Sequence, residues 1–199
     1  MGELEPQTTP LVTPPGRQEA LAFVWEIVKV VIISLAIIVP IRYYLVQPFF
    51  VKGASMEPTF DDGNYILIDE ISYRFHDPER GDIVVFRYPQ DPGQFFIKRV
   101  VGLPGETLEI KDNRVMVYSR VHPQGLILDE AGYLASHQQT VGNFKIQLDD
   151  NDYFVLGDNR LRSSDSRIWG AVNRSLITGR VFFRAFPLSE FGSFPEINY

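Results

Sequence analysis

Apolar and polar positions follow three regimes along the chain. Residues 1–17, MGELEPQTTPLVTPPGR, are rich in proline and threonine and have no period. Such a segment buries too little apolar surface to order itself, which predicts a disordered tail over residues 1–20. Leu21–Phe50 then reads LAFVWEIVKVVIISLAIIVPIRYYLVQPFF, and Val30–Ile41 is almost purely apolar, broken by Ser34 and Pro40. From Val51 onward, short apolar or alternating runs are separated by turn residues.

The second regime has the length of a bilayer crossing, about 20 residues. No polar face alternates through Val30–Val39, which argues against a buried core helix. Glu26 and Lys29 interrupt the first third; spaced i,i+3, they share a helix face and can pair. Lys29 can also extend toward the headgroups. Trp25 at one end and Tyr43 and Tyr44 at the other resemble interfacial aromatic anchors. A cleaved secretory signal is the competing reading. It fits less well, because the apolar run starts late and bulky RYYLVQPFF follows it in place of a small-x-small site. The expectation is a single transmembrane helix over residues 21–45. Charge does not orient it: Arg17 and Lys29 lie on one side, Arg42 and Lys52 on the other.

The third regime contains YILIDEISY, DIVVFRY, FIKRVVG, RVMVY, DYFVLGDNR and GRVFFRAF. Short runs rich in β-branched and aromatic residues predict strands. The spacers PQDPG, LPGE and KDN are turn chemistry. No long amphipathic helix and no internal repeat is visible, so residues 46–199 read as one mainly β domain. Val121–Leu148 is more polar and carries His122 and His137. It reads as a surface excursion or long hairpin, part of a small insertion over 112–150.

Composition narrows the chemistry. A chain of 199 residues accommodates one ordinary domain and an appendage. Cysteine is absent, which excludes a disulfide framework, a thiolate zinc site and a cysteine nucleophile. A net charge of −6 argues against nucleic-acid binding. His76, His122 and His137 are scattered without ligand spacing, so no metal is expected. GDNRLRSSDSR lacks the GK[ST] ending of a phosphate loop, and no other cofactor signature appears. No histidine lies near a nucleophile-like serine.

What remains is a serine, a lysine and a charged loop. GASMEPTF places Ser55 after small residues that let a substrate backbone approach. IKRVVG places Lys98 in an otherwise apolar strand, with Arg99 alternating to the other face. One of the two cations must face the interior unless the strand lines an edge or cleft. Burial lowers a lysine's pKa, and a neutral amine can serve as general base to a serine. On spacing alone the alternative stands: Lys98 on an exposed face and Ser55 in an ordinary turn. GDNRLRSSDSRIWG gathers Asp158, Arg160, Arg162, Asp165 and Arg167 with Ser163, Ser164 and Ser166. It reads either as an internal ion-pair network or as a solvated loop.

Four blocks in order resemble the bacterial type I signal peptidases, the serine-lysine proteases of the leader peptidase family. SMEPTF resembles the nucleophile box, RGDIVVFRYP the following strand box, KRVVGLPGE the general-base box and GDNRLRSSDSRIWG the last box. The resemblance covers most of Phe49–Gly170 and implies a coiled antiparallel β-sheet catalytic domain behind a single transmembrane helix. It implies Ser55 as nucleophile and Lys98 as general base. Ser163 would orient the lysine, with Asp158, Asp165, Arg99 and Arg167 as supporting charges. The Ser55 backbone N–H would supply one oxyanion donor. Gly53 stands where some members carry an assisting serine, which leaves the second donor open.

The implied reaction is removal of N-terminal signal peptides from exported preproteins through an acyl-enzyme. Phe49, Val51, Met56, Phe60 and Phe96 are expected to line the pockets for small substrate side chains. The implied partners are preprotein signal peptides and the lipid bilayer. The implied location is the plasma membrane, with a cytoplasmic N-terminus and an extracytoplasmic catalytic domain. Three other functions compete. A self-cleaving repressor would carry a helix-turn-helix. A tethered peptide-binding domain would have a broken dyad. A peptidase with one dedicated substrate is not separable by sequence from a general one.

Overall fold

The computed structural model describes residues 16–40, 46–135, 137–194, 197 and 199. Most of the expected tail, and the anchors Tyr43 and Tyr44, lie outside the described residues. The chain divides into two units, Met1–Ile41 and Arg42–Tyr199.

In the first unit, helix α1 spans Arg17–Pro40 and so begins before the expected start at Leu21. Glu19–Val39 has a mean hydropathy of 2.5 over 21 residues, long and apolar enough to cross a bilayer. Its apolar side chains point outward on every side, as the lack of a polar face requires. Lys29 Nζ and Glu26 Oε1 pair at 2.6 Å.

The second unit is built of antiparallel strands. In chain order they are β1 (Val46–Phe50), β2 (Tyr65–Asp69), β3 (Ile83–Tyr88), β4 (Asp91–Gly102), β5 (Thr107–Lys111) and β6 (Arg114–Tyr118). There follow β7 (Leu126–Ile127), β8 (Phe144–Gln147), β9 (Asp152–Leu156), the one-turn helix α2 (Ser166–Trp169), β10 (Val172–Asn173), β11 (Ile177–Phe186) and β12 (Gly192–Ser193). The larger sheet runs β1-β2-β11-β3-β4-β9-β10, with β12 also on β11; the smaller runs β7-β6-β5-β8.

The sequence IVVF, Ile83–Phe86, is continuously apolar because β3 is covered on both faces. Ile83 and Val85 pack with Met56, Phe60 and Ile66 on one side. Val84 and Phe86 pack with Val100, Tyr153 and Val155 on the other. Full burial of a side chain such as Phe86 contributes about 1.5–3 kcal/mol. The KDN turn closes the β5–β6 hairpin with Asp112 at φ 51° and Asn113 at φ 61°, the two left-handed residues a tight hairpin needs.

Residues 112–150 are more than surface decoration. They supply β6, β7 and β8, and bury Val115, Val117, Leu128 and Leu148 against Phe154 and Leu156 of β9. Between β7 and β8 the segment has no period to read. Its anchors are single side chains that reach the main sheet.

Strand β4 is paired unequally on its two edges. Along β3 it pairs from Asp91 to Arg99. On its other edge β9 pairs only with Arg99–Gly102. The stretch Gln94–Ile97 therefore has no partner on that edge among the described residues.

Candidate active site

Ser55 sits in the loop between β1 and β2. The loop is closed by hydrogen bonds from Val51 N to Asn64 O and from Gly63 N to Val51 O, both 2.9 Å. Met56 and Phe60 pin it from beneath, both fully buried. Phe60 packs on Phe194, ring centroids 4.7 Å apart. These two residues, expected to line the substrate pocket, belong instead to the core. In a loop no alternation tells which side chain faces the cleft, and large apolar groups follow the deeper volume.

Lys98 projects from β4 toward this loop. Its Nζ lies 2.8 Å from Ser55 Oγ and 2.8 Å from Ile97 O. The side chain is 3% exposed, and its Nζ lies 5.5 Å from the Phe96 ring centroid. Burial pulls its pKa from 10.5 to about 8, against the opposing pull of Asp165 and Asp158.

Alternation required one interior cation, but both Lys98 and Arg99 are buried. Arg99 faces the opposite way and grips Asp158 through Nε at 2.9 Å and Nη2 at 2.6 Å. Its Nη1 donates to Gly81 O at 2.9 Å. Thr59 Oγ1 adds a bond to Asp158 Oδ2 at 2.5 Å. Thr59 was not among the expected residues, although it lies in the same block as Ser55.

The loop after β9 brings the remaining charges. Asn159 N donates to Ser55 O at 3.0 Å. Gly157 N donates to Asp165 Oδ2 at 3.1 Å. Asp165 caps α2 and accepts two hydrogen bonds from Arg167, from Nε and from Nη2, each at 2.8 Å. Asp158, Asp165, Arg99 and Arg167 thus form two ion pairs beside the dyad. Gly157 permits the closeness: a Cβ there would collide with Ser163 Oγ and Ser55 O. Ser163 is buried, but its Oγ has no hydrogen-bond partner among the described residues. The bond to Lys98 expected of it is unmade.

The Gly53 N–H donates to Asp62 Oδ1 at 2.6 Å, so it is engaged away from any oxyanion. Among the described residues the Ser55 N–H has no acceptor, and it remains free for a ligand oxygen.

The dyad opens onto a cleft of about 440 Å³. Phe49, Val51 and Phe96 line it, joined by Ile66, Val85 and Ile97. Phe49 meets Phe95 edge to face at 5.2 Å, which narrows it. Arg162 and Lys52 stand at its rim, both exposed. Among the described residues no group of three or more His, Asp or Glu side chains converges as metal ligands.

The profile of the family described as Signal peptidase, peptidase S26, matches residues 24–186. A probable signal peptidase I-1 from Synechocystis is 34% identical, covering 89% of this chain and 90% of its own. A signal peptidase I from Leptolyngbya laminosa is 34% identical, covering 94% and 92%. A solved signal peptidase I from Enterococcus faecalis is 32% identical, covers 53% of this chain and 97% of its own, and has a TM-score of 0.43. With a family match across most of its length and relatives aligned nearly end to end, the chain belongs to the signal peptidase family, peptidase S26, and is a hydrolase of the signal peptidase I type.

Proposed function

We propose that this chain cuts signal peptides from preproteins with Ser55 as nucleophile and Lys98 as general base. The observation that carries the reading is a buried lysine 2.8 Å from a serine hydroxyl at the wall of an apolar cleft. With its pKa brought to about 8, Lys98 holds a usable neutral fraction near neutrality. The neutral amine keeps one hydrogen on Ile97 O and turns its lone pair to the Ser55 hydroxyl. Ser55 Oγ gives that proton to Nζ as it bonds to the scissile carbonyl carbon. The carbonyl oxygen takes up the negative charge opposite the Ser55 N–H. Collapse breaks the C–N bond, and Lys98 passes the proton to the departing amine. A water then gives a proton to Lys98 as its oxygen bonds to the acyl carbon, and Lys98 returns that proton to Ser55 Oγ as the ester C–O bond breaks, freeing the new carboxyl terminus.

The free edge of β4 over Gln94–Ile97 suits an extended substrate, which adds itself as a strand. Alternate side chains of that strand point into the cleft. A cleft narrowed by the Phe49–Phe95 contact favours small ones. The helix anchors the domain in the plasma membrane, N-terminus cytoplasmic and catalytic domain outside. Anchoring raises the effective concentration of membrane-bound substrate.

The test is cleavage of a preprotein with an Ala-x-Ala site by detergent-solubilised wild type, Ser55→Ala and Lys98→Ala. Cutting after the second alanine by wild type alone is expected. Cutting by Ser55→Ala would remove Ser55 as nucleophile. No cutting by folded wild type would favour a dedicated substrate or a binding domain.

A further inference from the structure

Among the described residues the largest fully buried side chain is Arg160, which the dyad chemistry does not use. Its Nε donates to Gly157 O at 3.0 Å, bracing the turn Gly157–Arg160 from within. That turn also sends the Asn159 N–H to Ser55 O. The far end of the guanidinium meets the insertion. Nη1 and Nη2 reach Glu130 at 2.9 and 2.7 Å, and Nη1 also meets Thr140. Tyr133 completes the cluster. Its hydroxyl donates to Glu130 Oε1 at 2.7 Å and accepts from Arg160 Nη2 at 3.3 Å and from the Tyr199 hydroxyl at 3.0 Å. Its ring lies under the Arg99 guanidinium, 4.1 Å from centroid to Cζ.

Tyr133 therefore touches both arginines that hold the turn, and Glu130 holds both Arg160 and the Tyr133 hydroxyl. Arg99 carries Asp158 on its other side; Arg160 carries the Gly157 carbonyl. Neither reaches the cleft. We propose that Glu130 and Tyr133 are positioning residues of the peptidase: they clamp Arg160 and Arg99 so that the Gly157–Arg160 turn holds Ser55 against Lys98. The insertion then serves the catalytic geometry as well as the core. This inference rests on the Ser55–Lys98 dyad proposed as the catalytic pair. A guanidinium buried without its carboxylate partner must shift to find another, and Gly157 O moves with it. Displacement of a nucleophile by a fraction of an ångström suffices to depress turnover without touching substrate binding.

The experiment is steady-state kinetics of full-length protein in detergent on a peptide spanning an Ala-x-Ala site. Each variant is assayed well below its own measured melting temperature. Glu130→Gln and Tyr133→Leu should lower kcat about ten- to hundredfold with KM within about twofold. Tyr133→Phe keeps the ring under Arg99 and should retain kcat within about threefold of wild type. Unchanged kcat in folded Glu130→Gln and Tyr133→Leu would overturn the proposal. So would a rise in KM at constant kcat, which would place these residues on the substrate. If Tyr133→Leu does not fold, Thr140→Val takes its place: it removes one contact to Arg160 and should lower kcat by a smaller factor, again at constant KM. Lys98→Ala runs beside them. If it cleaves like wild type, the dyad reading falls; if it is inactive while Glu130→Gln is fully active, only the clamp falls.

Discussion

Replacing Lys98 by methionine should stabilise the folded domain while abolishing cleavage. The wild-type side chain is buried, and burial holds its pKa near 8 where the free side chain has 10.5. That difference corresponds to about 3 kcal/mol disfavouring the ammonium in the folded state. The sign follows from proton counts. Between about pH 8 and 10.5 the unfolded chain binds the lysine proton and the folded one does not, so stability rises with pH across that window. Below pH 8 the whole deficit is present; above 10.5 it has gone. Methionine fills the same stem volume and carries no charge, so it lacks the deficit. It also forgoes the contacts to Ser55 Oγ and Ile97 O, which offset the gain by about 1 kcal/mol each. A net gain of about 1–2 kcal/mol raises the melting temperature by roughly 2–8 °C at this size. Scanning calorimetry of both proteins in detergent at pH 7 and pH 10.5 measures it. A methionine variant that melts below wild type at pH 7 would refute the reasoning. So would a gap between the two proteins that fails to narrow as pH rises.

Three further outcomes are expected. A base titrating near pH 8 makes kcat/KM rise about tenfold from pH 7 to 9 and then level. A lysine at its ordinary pKa would give nearly a hundredfold rise still climbing at pH 9, so a peptide-cleavage profile separates the two. Gly157→Ala should cut kcat by about a hundredfold or more, because its methyl group would occupy the space of Ser163 Oγ and Ser55 O; melting curves beside the kinetics show whether the fold survives. Phe60→Ala should cost about 3–5 kcal/mol in denaturant titration yet leave the preference for alanine at the cut unchanged, since Phe60 lies in the core beneath the loop.

The residues proposed to carry the chemistry were legible where they broke a pattern. Lys98 stood out as a cation in an apolar strand, and Ser55 as a serine after small residues. The order of four sequence blocks joined them. Strand β3 was readable because its apolar run has a length only a strand covered on both faces explains. Met56 and Phe60 were misplaced because a loop has no period to divide cleft from core. That both Lys98 and Arg99 are buried was not readable, since alternation speaks of two faces and not of what covers each. Glu130 and Tyr133 left no local signal. Their partners, Arg160 and Arg99, lie 27 residues away or more along the chain, and a polar segment without period looks like surface.

Every ion pair around the dyad uses arginine: Arg99 with Asp158, Arg167 with Asp165, Arg160 with Glu130. A guanidinium does not surrender its proton in any range where the domain stays folded. Burial also pushes the Tyr133 hydroxyl far above its ordinary range. Lys98 therefore titrates inside a fixed electrostatic frame, since none of the cations in these three pairs can trade protons with it. Had one of those arginines been a lysine, two amines would share the titration, and neither pKa would belong to a single residue. The acid limb of the enzyme's pH response should accordingly follow one proton with unit slope, an internal readout of the state of a single nitrogen atom.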